Sequence, residues 1–314
     1  MVRRTLTDAD IEHFVRRGYV KIEAGFSQEV AAEWSAYCFQ RLGYDRDDKS
    51  TWLEQRIHMG GSKEVPVEQF APRVYDAICD LVGGEERLAR PCVWTDHFIV
   101  NLGIRHDEPW QPAGPDTPGW HKDGDFFRHF LDSPEQGLLV FVNWTDVVHQ
   151  GGPTYIATDS VPVIARFLAD RPGGVLPNEF GFSNLITQCS EFEEATAKAG
   201  DVYLVHPFLL HAASQNPLRK IRIITNPPVH LVEPMSFNRN DGAYSPVELG
   251  VLAALGVDRY DFQPAAPRER VTPERVKRQQ RMLEEERARS LQETQSETRQ
   301  SVEAHGSVRG PSAS

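Results

Sequence analysis

Cysteine is scarce in this chain. Cys38, Cys79, Cys92 and Cys189 are the four among 314 residues, and no two of them form a C-x-x-C pair. That spacing argues against a disulfide framework or a cysteine zinc site, and reads as free or buried thiols in a reducing compartment. Positive charge is short too: 34 Lys and Arg stand against 45 Asp and Glu, a formal net charge of −11. Nucleic acids and anionic membranes need a basic face, so neither is expected as the main partner. No apolar run approaches the roughly 18–20 residues of a membrane helix. The stretch Met1 to Asp8 has no apolar signal region. A soluble, cytoplasmic protein is therefore expected. There is no internal repeat, so a solenoid is not expected either.

What is present suffices for a sizeable core, since hydrophobic residues make up 40% of the chain. Thr7 to Arg17 has a capping threonine, early aspartates and apolar residues at helical spacing. Gly18 stops it, and Tyr19 to Ile22 reads as a strand. Ser27 to Leu42 and Pro72 to Leu81 read as further helices. From about residue 91 the apolar runs become short and β-rich: Cys92 to Leu102, Leu138 to Trp144, Thr154 to Ala157, Val202 to Val205 and Ile221 to Thr225. Strands at this spacing predict a sandwich or jelly roll, with the early helices packed outside it. The expected plan is one domain over 1–267, helical over about 1–90, with a jelly-roll core over about 91–235. Thr272-Pro273-Glu274 then starts a charged helix over 268–291. Residues 292–314, rich in Gln, Ser, Glu and Thr, are expected to be disordered.

The chemistry concentrates at Gly119-Trp120-His121-Lys122-Asp123-Gly124. In an extended segment His121 and Asp123 point to one face. An imidazole and a carboxylate side by side, joined by a second histidine, form the facial triad of non-haem iron oxygenases. Of its three open positions, two accept a bidentate 2-oxo acid and the third accepts O2. H-x-D alone is a weak signal. Its weight comes from Gly200-Asp201 and the following strand, which lead to His211, and from Arg222 eleven residues later in an apolar run. A buried guanidinium needs a carboxylate, and the distal carboxylate of 2-oxoglutarate would supply one. His206 competes with His211 for the metal, but an arginine eleven residues after it would fall on Pro217.

These residues, with Asn216, with Thr7 to Phe14 and Gly18-Tyr19-Val20, and with Gly151 to Ile156, resemble the phytanoyl-CoA dioxygenase family over about residues 5 to 235. The resemblance implies a mainly β fold with flanking helices, a cupin-like double-stranded β-helix. It implies Fe(II), 2-oxoglutarate and O2 as cofactor and co-substrates, with His121, Asp123 and His211 on the metal and Arg222 on 2-oxoglutarate. Some relatives replace the carboxylate with a small residue and chlorinate; the presence of Asp123 favours hydroxylation or a related oxidation. Where relatives often carry a serine two residues after the distal histidine, this chain has Ala213. A polar pair on the strand equivalent to Cys92–Leu102 helps bind 2-oxoglutarate or substrate in relatives, which makes Asn101 and His97 candidates.

Trp120, Phe126 and Phe127 are candidates for an apolar substrate wall. The long loop Gly103 to Gly119 is a candidate lid, with Trp110 closing over the substrate. A small-molecule metabolite, as in secondary metabolism, is the expected substrate, and a homo-oligomer is compatible with the charged C-terminal helix. Two alternatives stay open at this point. One is a metal-dependent enzyme that does not use 2-oxoglutarate, and the other is a non-catalytic jelly-roll binding protein.

Overall fold

The computed structural model describes residues 3–306, and side chains as far as residue 292. Thr7 opens α1 (Asp8–Arg17): its hydroxyl accepts the Asp10 N–H, the Asp10 carboxylate accepts the Thr7 N–H, and Gly18 closes the helix in the left-handed region. After β1 (Tyr19–Ile22), Ser27 caps α2 (Gln28–Leu42) and Gly43 ends it. Short strands β2 (Arg56–His58) and β3 (Glu64–Pro66) follow, then a single turn, α3 (Val67–Phe70), and α4 (Pro72–Val82), which begins on its proline. Caps and proline set these helix ends locally, so they fall within about a residue of the expected ones.

The single strand expected over Cys92 to Leu102 is two, β4 (Val93–Thr95) and β5 (Ile99–Asn101). The break falls at Asp96. Its buried carboxylate turns inward to accept the Ser62 and Lys63 N–H groups and the Arg41 guanidinium. A charge-assisted cluster of that kind outweighs the strand alternation.

The chain continues through β6 (Leu138–Asn143), β7 (Thr154–Ala157), α5 (Ser160–Ala169), β8 (Phe192–Ala195), β9 (Val202–Val205), β10 (Leu210–Ala213), β11 (Arg222–Thr225) and β12 (Pro228–Val229). One antiparallel sheet has the order β1-β9-β6-β11-β5-β2, with β12 also on β6; a second has the order β10-β7-β8. The chain winds between the two. Strands β5 and β6 lie in the large sheet, β7 and β8 in the small one, β9 in the large, β10 in the small and β11 in the large. Between β5 and β6, His121 makes a backbone bridge to His211 of the small sheet. This alternation is a double-stranded β-helix with helices outside, the fold class expected from the sequence.

Every residue of β6, β7, β9 and β11 is buried, so these strands are covered on both faces. An aromatic cluster seats α2 on the large sheet: Trp34 stacks on Trp144 with ring centroids 4.5 Å apart, and Phe26, Phe70 and Phe98 surround the pair.

Helix α5 was not anticipated, and neither was α6 (Pro246–Leu255), although Ser245-Pro246-Val247-Glu248 is a capping box with proline at the first position. Glu248 does more than cap. Its fully buried carboxylate takes two guanidinium bonds from Arg87, at 2.6 and 3.0 Å, and others from Arg239. Burial alone would raise its pKa, but the two arginines outweigh this and hold it at about 2, below its ordinary 4.5. A depressed folded value stabilises the fold fully above about pH 4.5 and progressively less as the pH falls toward 2. Glu248→Gln is expected to cost about 2–3 kcal/mol near neutral pH, because two half-buried guanidinium groups lose the buried carboxylate they share. Urea midpoints of both proteins, measured at about pH 7 and about pH 3, should converge at the lower pH.

The C-terminal helix α7 spans Glu274–Gly306. It therefore runs through 292–306, part of the stretch expected to be disordered; residues 307–314 of that stretch lie outside the described residues. Composition argued for disorder because little surface can be buried there, but Gln, Glu and Arg are strong helix formers and the helix has an anchored start. It is also no detached appendage. Arg41, which binds Asp96 at 2.8 Å, also grips Glu286 through Nε and an outer nitrogen. Gln279 donates to the Met59 carbonyl, and Arg275 clamps Asp125 at 2.6 and 2.8 Å.

Candidate metal centre and cavity

His121 and His211 face each other across a two-way backbone bridge, each N–H donating to the other's carbonyl at 3.0 Å. Directly opposed residues send their side chains to the same face, and the two rings lie 4.3 Å apart between centroids. Each ring is turned by its own chain. Nδ1 of His121 contacts the Gly119 carbonyl at 2.8 Å, and Nδ1 of His211 contacts the Leu209 carbonyl at 3.3 Å. A proton on each Nδ1 leaves Nε2 free as a lone-pair donor. Both Nε2 atoms point at the same oxygen, Asp123 Oδ1, at 3.4 and 3.6 Å. One donor atom from each of the three residues fits within 4.8 Å of the others, a compact set able to hold a divalent cation.

Asp123 is held in place from both sides. Its Oδ2 accepts from Asn226 Nδ2 at 2.7 Å. The next residue, Gly124, has φ +114°, and a Cβ there would meet Phe127 and His129 at under 3 Å, so the turn requires glycine. Burial alone would raise the Asp123 carboxyl, but His211 and His121 beside it keep it well below the ordinary carboxylate range. It is therefore an anion, the protonation state a metal needs. Lys122, between the two ligands, is buried and donates to the Asp123 carbonyl and to His129 Nδ1. Burial pushes its amine down to about 7. Asn226 lay outside every motif read from the sequence. Asn226→Ala is expected to weaken metal binding by about 10–100-fold, the usual effect of freeing a ligand from its orienting partner. Equilibrium dialysis against Co(II) would measure this, and unchanged affinity would remove Asn226 from the site.

The triad opens into a cavity of about 650 Å³. Arg222 on β11 lines it; the residue is 4% exposed, and among the described residues no acid lies against it. One of its terminal nitrogens donates to Thr154 Oγ1 at 2.5 Å, while Nε has no partner. Burial, and after it the charge of Arg56, pushes the guanidinium down to about 9, which leaves it charged at neutral pH. A buried, unpaired cation beside a metal-binding triad suits a carboxylate of the size of 2-oxoglutarate. Thr154 sits in register with Ala213, so the hydroxyl missing at 213 is supplied by the neighbouring strand.

The remaining sequence candidates divide. His97 lines the cavity, with Nδ1 2.7 Å from the Thr95 hydroxyl. Trp120 and Phe126 also line it. Asn101 lies in register with Arg222, but its amide is taken up by the Ser214 carbonyl and by the Gly103 and Ile104 N–H groups, and it does not reach the cavity wall. Its polarity serves the turn after β5 and leaves nothing for a co-substrate. Phe127 is fully buried behind Phe126 and is core, not wall.

Trp110 packs edge-on against His149 and does not reach the cavity. Its loop is tied to the small sheet instead of closing the site: Gln111 N–H donates to Gln215, and Tyr155 OH donates to the Gln111 carbonyl. Length suggested a lid, but these contacts lie on the other side of β7 and β10. The segment that does reach the cavity includes Phe180 and Phe182. His206 is buried with Nε2 at the Val247 carbonyl and is no ligand.

No family model matches the chain, and no curated protein matches it. Several solved structures do. The epimerase SnoN in complex with Fe3+, alpha ketoglutarate and nogalamycin RO is 18% identical, with 85% of this chain and 96% of that chain covered and a TM-score of 0.46. The non-heme alpha ketoglutarate dependent carbocyclase SnoK from nogalamycin biosynthesis is 16% identical over 74% and 87%, at 0.43. HygX from Streptomyces hygroscopicus with nickel and 2-oxoglutarate bound is 12% identical over 71% and 86%, at 0.41. At such identities and scores a reaction does not carry across, and the residues of this chain have to support it.

Proposed function

We propose that this protein is a non-haem iron(II), 2-oxoglutarate-dependent dioxygenase that hydroxylates, or otherwise oxidises, a C–H bond of a small-molecule metabolite. One observation carries the reading. Two imidazole nitrogens converge on one oxygen of an anionic carboxylate, in the same cavity as a buried guanidinium that pairs with no acid among the described residues. A non-catalytic scaffold has no use for the triad, and the guanidinium beside it supplies the carboxylate-binding group that a 2-oxo diacid needs.

In this reading His121, Asp123 and His211 hold the iron, which when bound supplies O2 activation coupled to oxidation of the 2-oxo acid to succinate and CO2. Arg222 would grip the distal carboxylate of 2-oxoglutarate, with Thr154 anchoring one terminal nitrogen of the guanidinium. Asn226 keeps Asp123 turned toward the two histidines. The Nδ1 contacts to Gly119 and Leu209 keep both rings in the donor tautomer. Trp120, Phe126 and Phe141, whose ring lies 5.3 Å from His211, form an apolar wall that limits water at the reacting carbon. Asp123 occupies the position that a halide would need, which favours oxygen insertion over chlorination.

The test is anaerobic addition of 2-oxoglutarate to the Fe(II) protein. A visible metal-to-ligand band and 2-oxoglutarate binding are expected. Metal binding without either would turn the reading toward a metal enzyme of another class, and absence of metal binding would end it.

A further inference from the structure

The cavity is more cationic than an iron and 2-oxoglutarate site requires. Three guanidinium groups line it, Arg56, Arg222 and Arg275, against two carboxylates, Asp123 and Asp125. Asp123 belongs to the triad, and Asp125 is clamped by Arg275. Among the described residues Arg222 and Arg56 are thus left without an acid, in a chain whose formal net charge is −11. One 2-oxoglutarate has one distal carboxylate. Arg222, deep and nearly inaccessible, is placed to take it.

Arg56 is placed differently. It lies on β2, the edge strand of the large sheet, and pairs with Asn101, which pairs in turn with Arg222. Two strand spacings put the two arginine backbones about 10 Å apart. Arg56 is exposed where Arg222 is buried, so it stands toward the open side of the cavity. Its Nε donates to His58 Nε2 at 3.0 Å, which fixes the guanidinium, and among the described residues no acid is paired with its terminal nitrogens. Burial and the neighbouring arginines push His58 down to about 4, so it is the neutral acceptor this bond needs.

We infer that Arg56, held by His58, is the recognition site for an anionic group, a carboxylate or a phosphate, on the oxidisable substrate. The substrate is then an amphiphilic small acid. Its charged end sits at Arg56 and its apolar part runs along Trp120 and Phe141 toward the triad. Bidentate geometry suits either anion. The inference rests on the oxygenase reading for the word substrate, but the anion site stands on the cavity alone.

The experiment uses the Fe(II) protein, anaerobic and saturated with 2-oxoglutarate, titrated calorimetrically with 4-phenylbutyrate, 3-phenylpropyl phosphate and the neutral 4-phenylbutyramide. At least one anion is expected to bind about tenfold more tightly than the amide, and Arg56→Gln is expected to erase that preference while leaving the amide unchanged. Whichever anion is preferred identifies the group. The affinity for 2-oxoglutarate alone should move less than about threefold in Arg56→Gln, while Arg222→Gln loses it. Equal binding of anions and amide by the wild type overturns the inference. So does a loss of 2-oxoglutarate in Arg56→Gln matching that in Arg222→Gln, which would make Arg56 part of the co-substrate site. If the wild type takes no 2-oxoglutarate at all, the oxygenase reading fails by itself, and the same titration of the metal-loaded protein still reports on Arg56.

Discussion

Asp123→Ala is expected to weaken Fe(II) binding by more than about 100-fold, beyond the range expected for loss of an orienting partner such as Asn226. Asp123 Oδ1 is where both histidine nitrogens converge, at 3.4 and 3.6 Å, and it belongs to the one anionic residue of the three. Its removal leaves two neutral imidazoles in a cavity that also holds Arg56 and Arg222. A divalent cation would then meet repulsion, and the carboxylate left in the lining, Asp125, is already taken up by Arg275. Anaerobic calorimetry with Fe(II), repeated with Co(II), measures the loss. The variant should remain folded, because Asp123 lines a cavity and carries no strand pairing. Retained tight, stoichiometric binding would place the metal elsewhere.

Arg222→Gln is expected to raise the Kd for 2-oxoglutarate by about 30- to 3,000-fold, the equivalent of losing a desolvated charge pair worth about 2–5 kcal/mol. Its sharper consequence is in the ligand-free protein. Among the described residues the Arg222 guanidinium has no carboxylate partner and its Nε has no hydrogen-bond partner. Neutralising it removes an uncompensated buried charge, so the thermal midpoint without ligand should hold or rise. In the wild type 2-oxoglutarate should raise that midpoint, and in the variant it should not. A fall in the midpoint of the ligand-free variant would show that Arg222 serves the fold, and the co-substrate assignment would lose its main support.

Which parts of the site could be read in advance depended on how far apart their residues lie in sequence. His121 and Asp123 are two apart, so strand geometry places them together. His211 and Arg222 were recognisable because each sits in an apolar strand where its polarity needs a reason. Arg56, His58, Thr154 and Asn226 carry no such mark. Arg56 and His58 belong to a three-residue strand between loops, and Asn226 follows a strand end, where asparagine is ordinary. Asn101 and Trp110 failed for the converse reason. Their residue types suited a site, but local backbone groups and His149 had already engaged them.

The helix ends capped by Thr7 and Ser27, the four apolar runs Leu138 to Trp144, Thr154 to Ala157, Val202 to Val205 and Ile221 to Thr225, and the residue types of the triad were all legible in the chain alone, because each depends on contacts within a turn or on a two-residue alternation. Folding in three dimensions settled that the strand expected over Cys92 to Leu102 breaks at Asp96, that α7 docks through Arg41, and that Arg56 and Arg222 share one cavity. Those outcomes depend on charges brought together from distant parts of the chain, and the cost of burying a charge is set by what surrounds it after folding. The triad's donors were legible as letters; the excess of positive charge facing them was not.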